Sequence, residues 1–191
     1  MPLNNALFSF YSEALSMTEF LIKHGSPVYQ QRWQRVLEQI SLTPEIIQTL
    51  NTFRRQMKVM VLAGAWCGDC GTQCPIFEVF SQQNSLIQIR YLDRDHYPNV
   101  QRELSINGGN RVPVVVFFSE DGFEVCRYGE RTLSQYRDLL TKIDGSACPT
   151  GILDNSTASL HQRIIQDWLN EFERVQCILR LSPRLRANHE E

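Results

Sequence analysis

Three short, almost wholly apolar runs in the middle of the chain constrain its fold more than any other feature. They are residues 58–64 (K-V-M-V-L-A-G), 87–92 (I-Q-I-R-Y-L) and 112–118 (V-P-V-V-V-F-F). Runs of this length and composition are typical of β-strands that are buried on both faces. The tract Glu-Asp-Gly-Phe at 120–123 predicts a hairpin turn into a fourth strand at 123–128.

Helical patterns alternate with these strands. Residues 70–83 and 98–106 lie between successive apolar runs. Thr132 and Gln135 form a capping-box pattern, which predicts a helix that ends near Ile143. The element order is therefore β-α-β-α-β-β-α, and it predicts an α/β fold in which a mixed central sheet carries helices on both faces.

Both ends of the chain have helical patterns of their own, so we divide the chain into three parts. Residues 1–56 form an N-terminal helical extension and residues 57–145 form the α/β domain. Residues 146–191 form a linker and an amphipathic helix that is expected to pack on the domain. The final tract, 183–191, is expected to fray.

Composition and charge argue against several kinds of partner. The chain has 191 residues, 42% of them hydrophobic, which is enough to bury one sizeable core. Its formal net charge of −2 comes without a basic stripe, so no nucleic-acid partner is expected. The sequence has no apolar run of membrane-spanning length and no secretory leader pattern at its N-terminus, so we predict no membrane association and a cytoplasmic location.

Three cysteines follow directly after the first apolar run: Cys67, Cys70 and Cys74. Cysteines in a cytoplasmic chain are more often catalytic, metal-bound or simply buried than part of a disulfide framework. A C-x-x-C pair where a buried strand meets a helix favours a thiolate, because the helix N-terminus carries partial positive charge. This reasoning predicts an exposed Cys67 with a lowered pKa, which attacks a disulfide, and a Cys70 that resolves the product.

Two other interpretations of the cysteines stay open. Cys67, Cys70 and Cys74 could bind zinc or an iron–sulfur cluster with a distant cysteine as the fourth ligand, although the sequence offers no second C-x-x-C or C-x-x-H pair. Alternatively, the three are inert thiols at the start of a helix.

The remaining cysteines and the histidines form no comparable motif. Cys126 lies on the fourth predicted strand and Cys177 in the last helix, where both are expected to be buried in the core. Cys148 lies in a loop of small residues. The tract Asp-Arg-Asp-His at 93–96 has the composition of a metal-binding loop, but we interpret it as the solvated end of a strand.

The stretch Trp66-Cys67-Gly68-Asp69-Cys70 resembles the W-C-G-P-C active site of thioredoxins. Pro75 matches the proline that kinks the thioredoxin active-site helix. Val112-Pro113 is similar to the family's cis-proline at the start of a central strand. With the Asp121-Gly122 turn, the resemblance covers roughly residues 55–145.

This resemblance implies a thioredoxin fold with extra helices at both ends, acting as a thiol–disulfide oxidoreductase with no bound cofactor or metal. Cys67 and Cys70 would be the catalytic pair, supported by Trp66, Gly68, Asp69, Val112 and Pro113. The substrate would be a protein or small molecule that carries a disulfide. A reductase would supply electrons, and the helical ends could form a homodimer. An oxidase, an isomerase, or a scaffold or binding module with little redox activity remain alternatives.

Two positions depart from the thioredoxin pattern. The buried aspartate that thioredoxins carry six residues before the first cysteine is Val61 here, and the proline between the cysteines is Asp69. A carboxylate beside a thiol disfavours the thiolate and raises the pKa of the thiol. We therefore hypothesise that Asp69 makes the pair more reducing than a W-C-G-P-C site, or that it takes over proton transfer.

Overall fold

The computed structural model describes residues 6–144 and 158–191, and within these ranges four strands form one mixed sheet. The strands are β1 (Met57–Ala63), β2 (Ile87–Asp93), β3 (Val114–Ser119) and β4 (Glu124–Gly129). Their order across the sheet is β2-β1-β3-β4. Strand β2 runs parallel to β1, whereas β3 is antiparallel to both β1 and β4. The predicted mixed central sheet is confirmed.

Helices precede, interrupt and follow this sheet. Those before it are α1 (Ala6–Tyr11), α2 (Met17–His24), α3 (Pro27–Gln39) and α4 (Pro44–Asn51). Those between or after its strands are α5 (Gly68–Gln83), α6 (Pro98–Glu103), α7 (Leu133–Asp144), α8 (Leu160–Leu181) and α9 (Pro183–Asn188). Among these described helices, none is both long and apolar enough to span a bilayer.

Neighbouring residues of β3 show how helices cover both faces of the sheet, since successive side chains of a strand point to opposite faces. The ring of Phe117 lies 5.1 Å from that of Phe172 on α8, measured between centroids. The ring of Phe118 lies 5.3 Å from that of Phe8 on α1. Both strand residues are fully buried, so each face has an aromatic contact with a helix outside the central α/β region.

Helix α8 supplies a large part of the core. Trp168 and Phe172 are fully buried, and Trp168 packs edge-on against Phe77 of α5 at a centroid distance of 4.5 Å. The indole N–H of Trp168 donates to Oε1 of Gln73 at 2.9 Å, so the polar part of the ring is satisfied as well. The C-terminal helix is thus packed into the same core as the sheet.

The end of the chain is ordered, so the expected fraying of residues 183–191 is wrong. Helix α9 buries Leu185 completely. Arg184 forms an ion pair with Asp121 in the β3–β4 turn, and Glu191 accepts from Arg55 at 2.6 Å. The sequence pattern missed these contacts for two reasons. A single large apolar side chain in a six-residue helix gives no periodicity, and the carboxylate that pairs with Arg184 lies at position 121, far away in sequence.

Helix α6 is shorter than the predicted 98–106. It ends at Glu103, and the chain then turns through Asn107 (φ 49°) and Gly108 (φ 71°). Positive φ values interrupt a right-handed helix, and glycine and asparagine adopt them most readily.

Candidate active site

Cys67 lies where the chain passes from β1 into α5, at the N-cap position of the helix. Its Sγ accepts from the backbone N–H of Cys70 at 3.5 Å. The thiol also donates to the carbonyl oxygen of Val112, at 3.5 Å across the mouth of the site. Cys67 is only 8% exposed. It is therefore less open to a partner than the sequence predicts, because the chain before β3 covers one side of it.

Cys70 and Cys74 lie behind Cys67, on the buried side of α5. Both are fully buried. The Sγ of Cys70 accepts from the backbone N–H of Gly64 at 3.5 Å. All three cysteines are free thiols. The arrangement places one thiol at the surface edge and two beneath it.

The pKa of Cys67 is raised, not lowered as the helix terminus alone predicts. The hydrogen bond with the Cys70 thiol raises it most, followed by burial, while the backbone N–H groups of Cys70 and Asp69 pull it down. Burial also raises the pKa of Cys70. The sequence argument counted the helix terminus and omitted the adjacent thiol and the loss of solvent.

Val112 and Pro113 face the thiols from the start of β3. Their peptide bond is cis, and Val112 is buried. The carbonyl oxygen of Val112 is the group that contacts Cys67. The structure therefore brings these two residues next to the cysteine pair.

Trp66 forms the rim of the site and is 40% exposed. Its Nε1–H donates to Oδ2 of Asp95 at 3.3 Å, and the guanidinium of Arg94 lies 4.5 Å from the ring centroid. A Cβ at Gly64 would lie 2.8 Å from the indole, so the absence of a side chain there leaves room for the ring. The loop after β2 thus positions Trp66.

Arg32 on α3 is a residue of the site that the sequence did not reveal. Its guanidinium donates to the carbonyl oxygens of Ala65 at 3.1 Å and Cys67 at 2.9 Å. The neighbouring Trp33 donates to the same Ala65 oxygen at 3.1 Å. A Cβ at Gly71 would lie 2.9 Å from Nε of Arg32, so this glycine makes space for the guanidinium. The N-terminal helices hold the backbone of the cysteine turn directly.

Asp69, between the two cysteines, is paired with a cation. Its Oδ2 lies 2.7 Å from the guanidinium of Arg131, which also reaches Glu130 at 3.2 Å. Glu130 in turn accepts from Arg111 at 3.1 Å. The pairing partly neutralises Asp69, so its effect on Cys67 depends on Arg131. No sequence pattern linked these two positions.

A polar pair lies deeper, beside Cys74. The hydroxyl of the fully buried Tyr91 donates to Oε1 of Glu78 at 2.9 Å and lies 3.2 Å from the carbonyl oxygen of Cys74. Burial raises the pKa of Glu78, although the hydrogen bond from Tyr91 acts in the opposite direction. Val61, where thioredoxins carry an aspartate, is fully buried. Glu78 is thus a titratable carboxyl group close to the thiols.

We expect Glu78→Gln to stabilise the protein at neutral pH. A carboxyl group whose pKa is higher in the folded state favours folding when protonated, below its ordinary pKa, and this contribution is lost as pH rises through the raised value. The ionised form therefore costs stability near pH 7, and glutamine removes that cost while still accepting from Tyr91. Urea unfolding should show a larger gain in free energy at pH 7 than at pH 4.

The matched control is Glu173→Gln, on an exposed part of α8, which should change stability little at either pH. An equal effect of Glu78→Gln at both pH values would contradict the expectation.

The remaining cysteines lie away from this arrangement or outside the described residues. Cys126 on β4 is half-buried and packs against the core, so its predicted burial is confirmed only in part. Cys177 is exposed, so its predicted burial is wrong: it lies on the solvent side of α8, next to the buried Gln176. Cys148 lies outside the residues that the structure describes.

A family model described as "Thioredoxin" matches residues 14–143 of the chain. The match begins inside the N-terminal helical extension, and it therefore includes α2, α3 and α4 as well as the sheet. No curated protein matches the sequence.

Two solved structures are similar to nearly the whole chain. A protein of unknown function from Pseudomonas aeruginosa is 16% identical, with a TM-score of 0.63, and the match covers 90% of this chain and 95% of that one. An HIV epitope scaffold is 14% identical, with a TM-score of 0.67, and the match covers 88% of this chain and 95% of the scaffold. The thioredoxin of Fasciola hepatica, 22% identical, matches 50% of this chain and 88% of its own, with a TM-score of 0.35. The first two matches, which cover nearly the whole chain, show that the fold recurs with its added helices.

Proposed function

This chain belongs to the thioredoxin family, and from that premise we propose that it is a thiol–disulfide oxidoreductase that reduces disulfides through Cys67 and Cys70. The observation that supports this most is the position of Cys67. Its sulfur lies at the N-cap of α5, 3.5 Å from the N–H of Cys70 and 3.5 Å from the carbonyl oxygen of Val112. One sulfur is at the site edge, and the other is close behind it.

The reaction proceeds in two exchanges. Cys67 first loses its proton, against its raised pKa, and its thiolate attacks one sulfur of the substrate disulfide. A mixed disulfide forms, and the other substrate sulfur leaves as a thiolate, which takes up that proton. Cys70 then loses its proton and attacks the Sγ of Cys67. The Cys67–Cys70 disulfide forms, and the second substrate sulfur leaves as a thiol. Two electrons pass to the substrate, and the dithiol of a reductase returns them to the pair.

Groups around the thiols supply the binding surface in this proposal. Trp66 offers a partly exposed ring at the rim. Space above Gly68 is open, since a Cβ there would meet no atom within 4 Å. The backbone at Val112 and Pro113 offers an edge with which an extended substrate segment can pair. A disulfide-bearing protein segment or small molecule fits such a shallow site, and a homodimer through the helical extensions remains a prediction.

A redox titration tests the proposal. The protein is equilibrated across glutathione buffers, free thiols are trapped, and mass spectrometry identifies the paired cysteines. We expect a reversible Cys67–Cys70 disulfide with a midpoint near the thioredoxin value of about −270 mV. A midpoint near that of the strong oxidants, about −120 mV, would indicate an oxidase. No Cys67–Cys70 disulfide at any potential would refute the redox function and leave a scaffold or a metal protein.

We expect opposite changes of the same potential from the two members of the Asp69–Arg131 pair. Asp69→Asn removes a negative charge beside Cys67, stabilises the thiolate and makes the potential less negative. Arg131→Gln leaves Asp69 unpaired and makes it more negative. Because partly exposed ion pairs contribute up to about 1 kcal/mol and about 30 mV corresponds to about 1.4 kcal/mol, each shift should be on the order of 10–20 mV.

The control for this measurement is Arg174→Gln, which breaks an ion pair with Glu171 on α8 and should leave the potential unchanged. If Asp69→Asn alters neither the potential nor the pKa of Cys67, the proposed role of Asp69 is wrong.

A further inference from the structure

Three ligand-type side chains meet beside the loop that holds Trp66. Asp93 ends β2, His96 lies three residues later, and His24 ends α2. One nitrogen from each imidazole and one oxygen of the carboxylate all lie within 4.8 Å of one another. The Nδ1 of His96 is 2.8 Å from Oδ1 of Asp93, and Nδ1 of His24 is 4.0 Å from Oδ2. Within residues 6–144 and 158–191, no other group of three such residues is this compact.

The carboxylate at the centre of this group is rigidly held. Asp93 is buried, and its Oδ1 accepts from the backbone N–H groups of Asp95 at 3.0 Å and His96 at 3.1 Å. These bonds fix one oxygen against the turn, so Oδ2 is directed towards the ring of His24. A carboxylate oriented by backbone donors is preorganised for a ligand, because little side-chain freedom remains to be lost on binding.

The imidazoles of His24 and His96 contact each other edge-on beside the carboxylate. Their ring centroids are 4.6 Å apart. The side chain of His24 is only 7% exposed and packs on Phe20, whereas that of His96 is 64% exposed. The group therefore combines one buried imidazole with one at the surface, where an ion can enter.

We propose that His24, Asp93 and His96 bind a divalent transition-metal ion of the zinc type. Two imidazoles and one carboxylate form a ligand set that zinc uses. Tetrahedral bonds of about 2.1 Å place ligand atoms about 3.4 Å apart. The distances from 2.8 to 4.8 Å lie on both sides of that value, so small rotations of the exposed His96 and of His24 close the site.

The consequence concerns the neighbouring loop. Asp95 lies between Asp93 and His96 in the sequence, and its carboxylate accepts from the indole of Trp66. The backbone N–H of Arg94 in the same loop donates to the carbonyl oxygen of Ala63 at 2.8 Å. Three protein ligands leave a fourth position for water or for an external donor. A bound ion would fix the loop that positions Trp66. The site contains none of the cysteines, so it does not depend on the proposed redox function.

Cobalt titration of the reduced full-length chain tests the proposal, because Co²⁺ replaces Zn²⁺ and reports its ligands by absorption. We expect one equivalent bound, without the intense near-ultraviolet bands of thiolate ligation. His96→Gln and His24→Gln should each weaken binding at least about tenfold. The matched control is His189→Gln, which also removes a histidine paired with a carboxylate, Glu120 at 2.6 Å, and should not affect binding.

Three results would overturn the proposal: no binding at about 100 µM cation, thiolate bands that persist in His96→Gln, or an equal loss in His189→Gln. The absence of binding at that concentration would mean an affinity far weaker than that of a preformed zinc site. The second would place the metal on the cysteines. Since the side chain of His96 is largely exposed, His96→Gln tests the site even if His24→Gln fails to fold.

Discussion

Replacing Cys67 with serine is expected to abolish disulfide reduction, lowering the rate by on the order of a thousandfold or more. Serine is a far weaker nucleophile than cysteine at neutral pH, and the buried Cys70 is not reachable by a protein disulfide. Reduction of insulin, followed by turbidity, measures the loss.

Cys70→Ser should behave differently: the attack on substrate persists, but the mixed disulfide on Cys67 is not resolved. Mass spectrometry should detect this trapped adduct.

The control is Cys177→Ser, since Cys177 is an exposed thiol on α8 that the mechanism does not use. It should retain full activity. Substantial reduction by Cys67→Ser, or adducts that form on Cys177 in place of Cys67, would contradict the assignment of the attacking thiol.

Phe172→Ala should reduce the free energy of unfolding by about 3–5 kcal/mol, the usual cost of deleting a buried aromatic side chain. The ring of Phe172 is fully buried and lies 5.8, 5.3 and 5.1 Å from the rings of Phe77, Phe80 and Phe117. Alanine would leave a cavity between α8, α5 and the sheet. Equilibrium denaturation, monitored by circular dichroism, provides the measurement.

Leu181→Ala is the control on the same helix, because Leu181 is 75% exposed. It should change stability by no more than about 0.5 kcal/mol. A Phe172→Ala effect as small as this would mean that α8 is not part of the cooperative core.

The central elements were predictable because their signals are local. The apolar run 112–118 has no polar position to place in solvent, so it had to be a strand in the interior. Thr132 and Gln135 do form the expected capping box: the N–H of Thr132 donates to Oε1 of Gln135 at 2.9 Å, and that of Gln135 to Oγ1 of Thr132 at 3.4 Å. Such contacts span three residues and can be read from spacing alone.

The contacts around the cysteines could not be predicted, since they join distant parts of the chain. Arg32 reaches Cys67 from 35 positions away. The pairing of Asp69 with Arg131 likewise depends on how the turn between β4 and α7 is placed beside the start of α5, and spacing carries no information about that. The pKa of Cys67 is raised first by its hydrogen bond with the Cys70 thiol and then by burial, and the motif alone reports neither.

The group formed by His24, Asp93 and His96 could likewise be predicted only in part from the sequence. The sequence offered Asp93 and His96 as part of a possible metal loop, but the second imidazole is contributed by α2. Only the position of α2 beside β2 brings a third side chain of ligand type to the group. Asp93 is buried, so the interpretation as a solvated strand end is wrong for that residue.

The three tryptophans differ in exposure, so tryptophan fluorescence can report on the site. Trp33 and Trp168 are fully buried, whereas Trp66 is partly exposed at the rim beside Cys67. A water-soluble quencher such as iodide or acrylamide should therefore act chiefly on the emission of Trp66. The chain thus carries a built-in fluorescent reporter at the edge where substrates are expected to bind, with no label to attach.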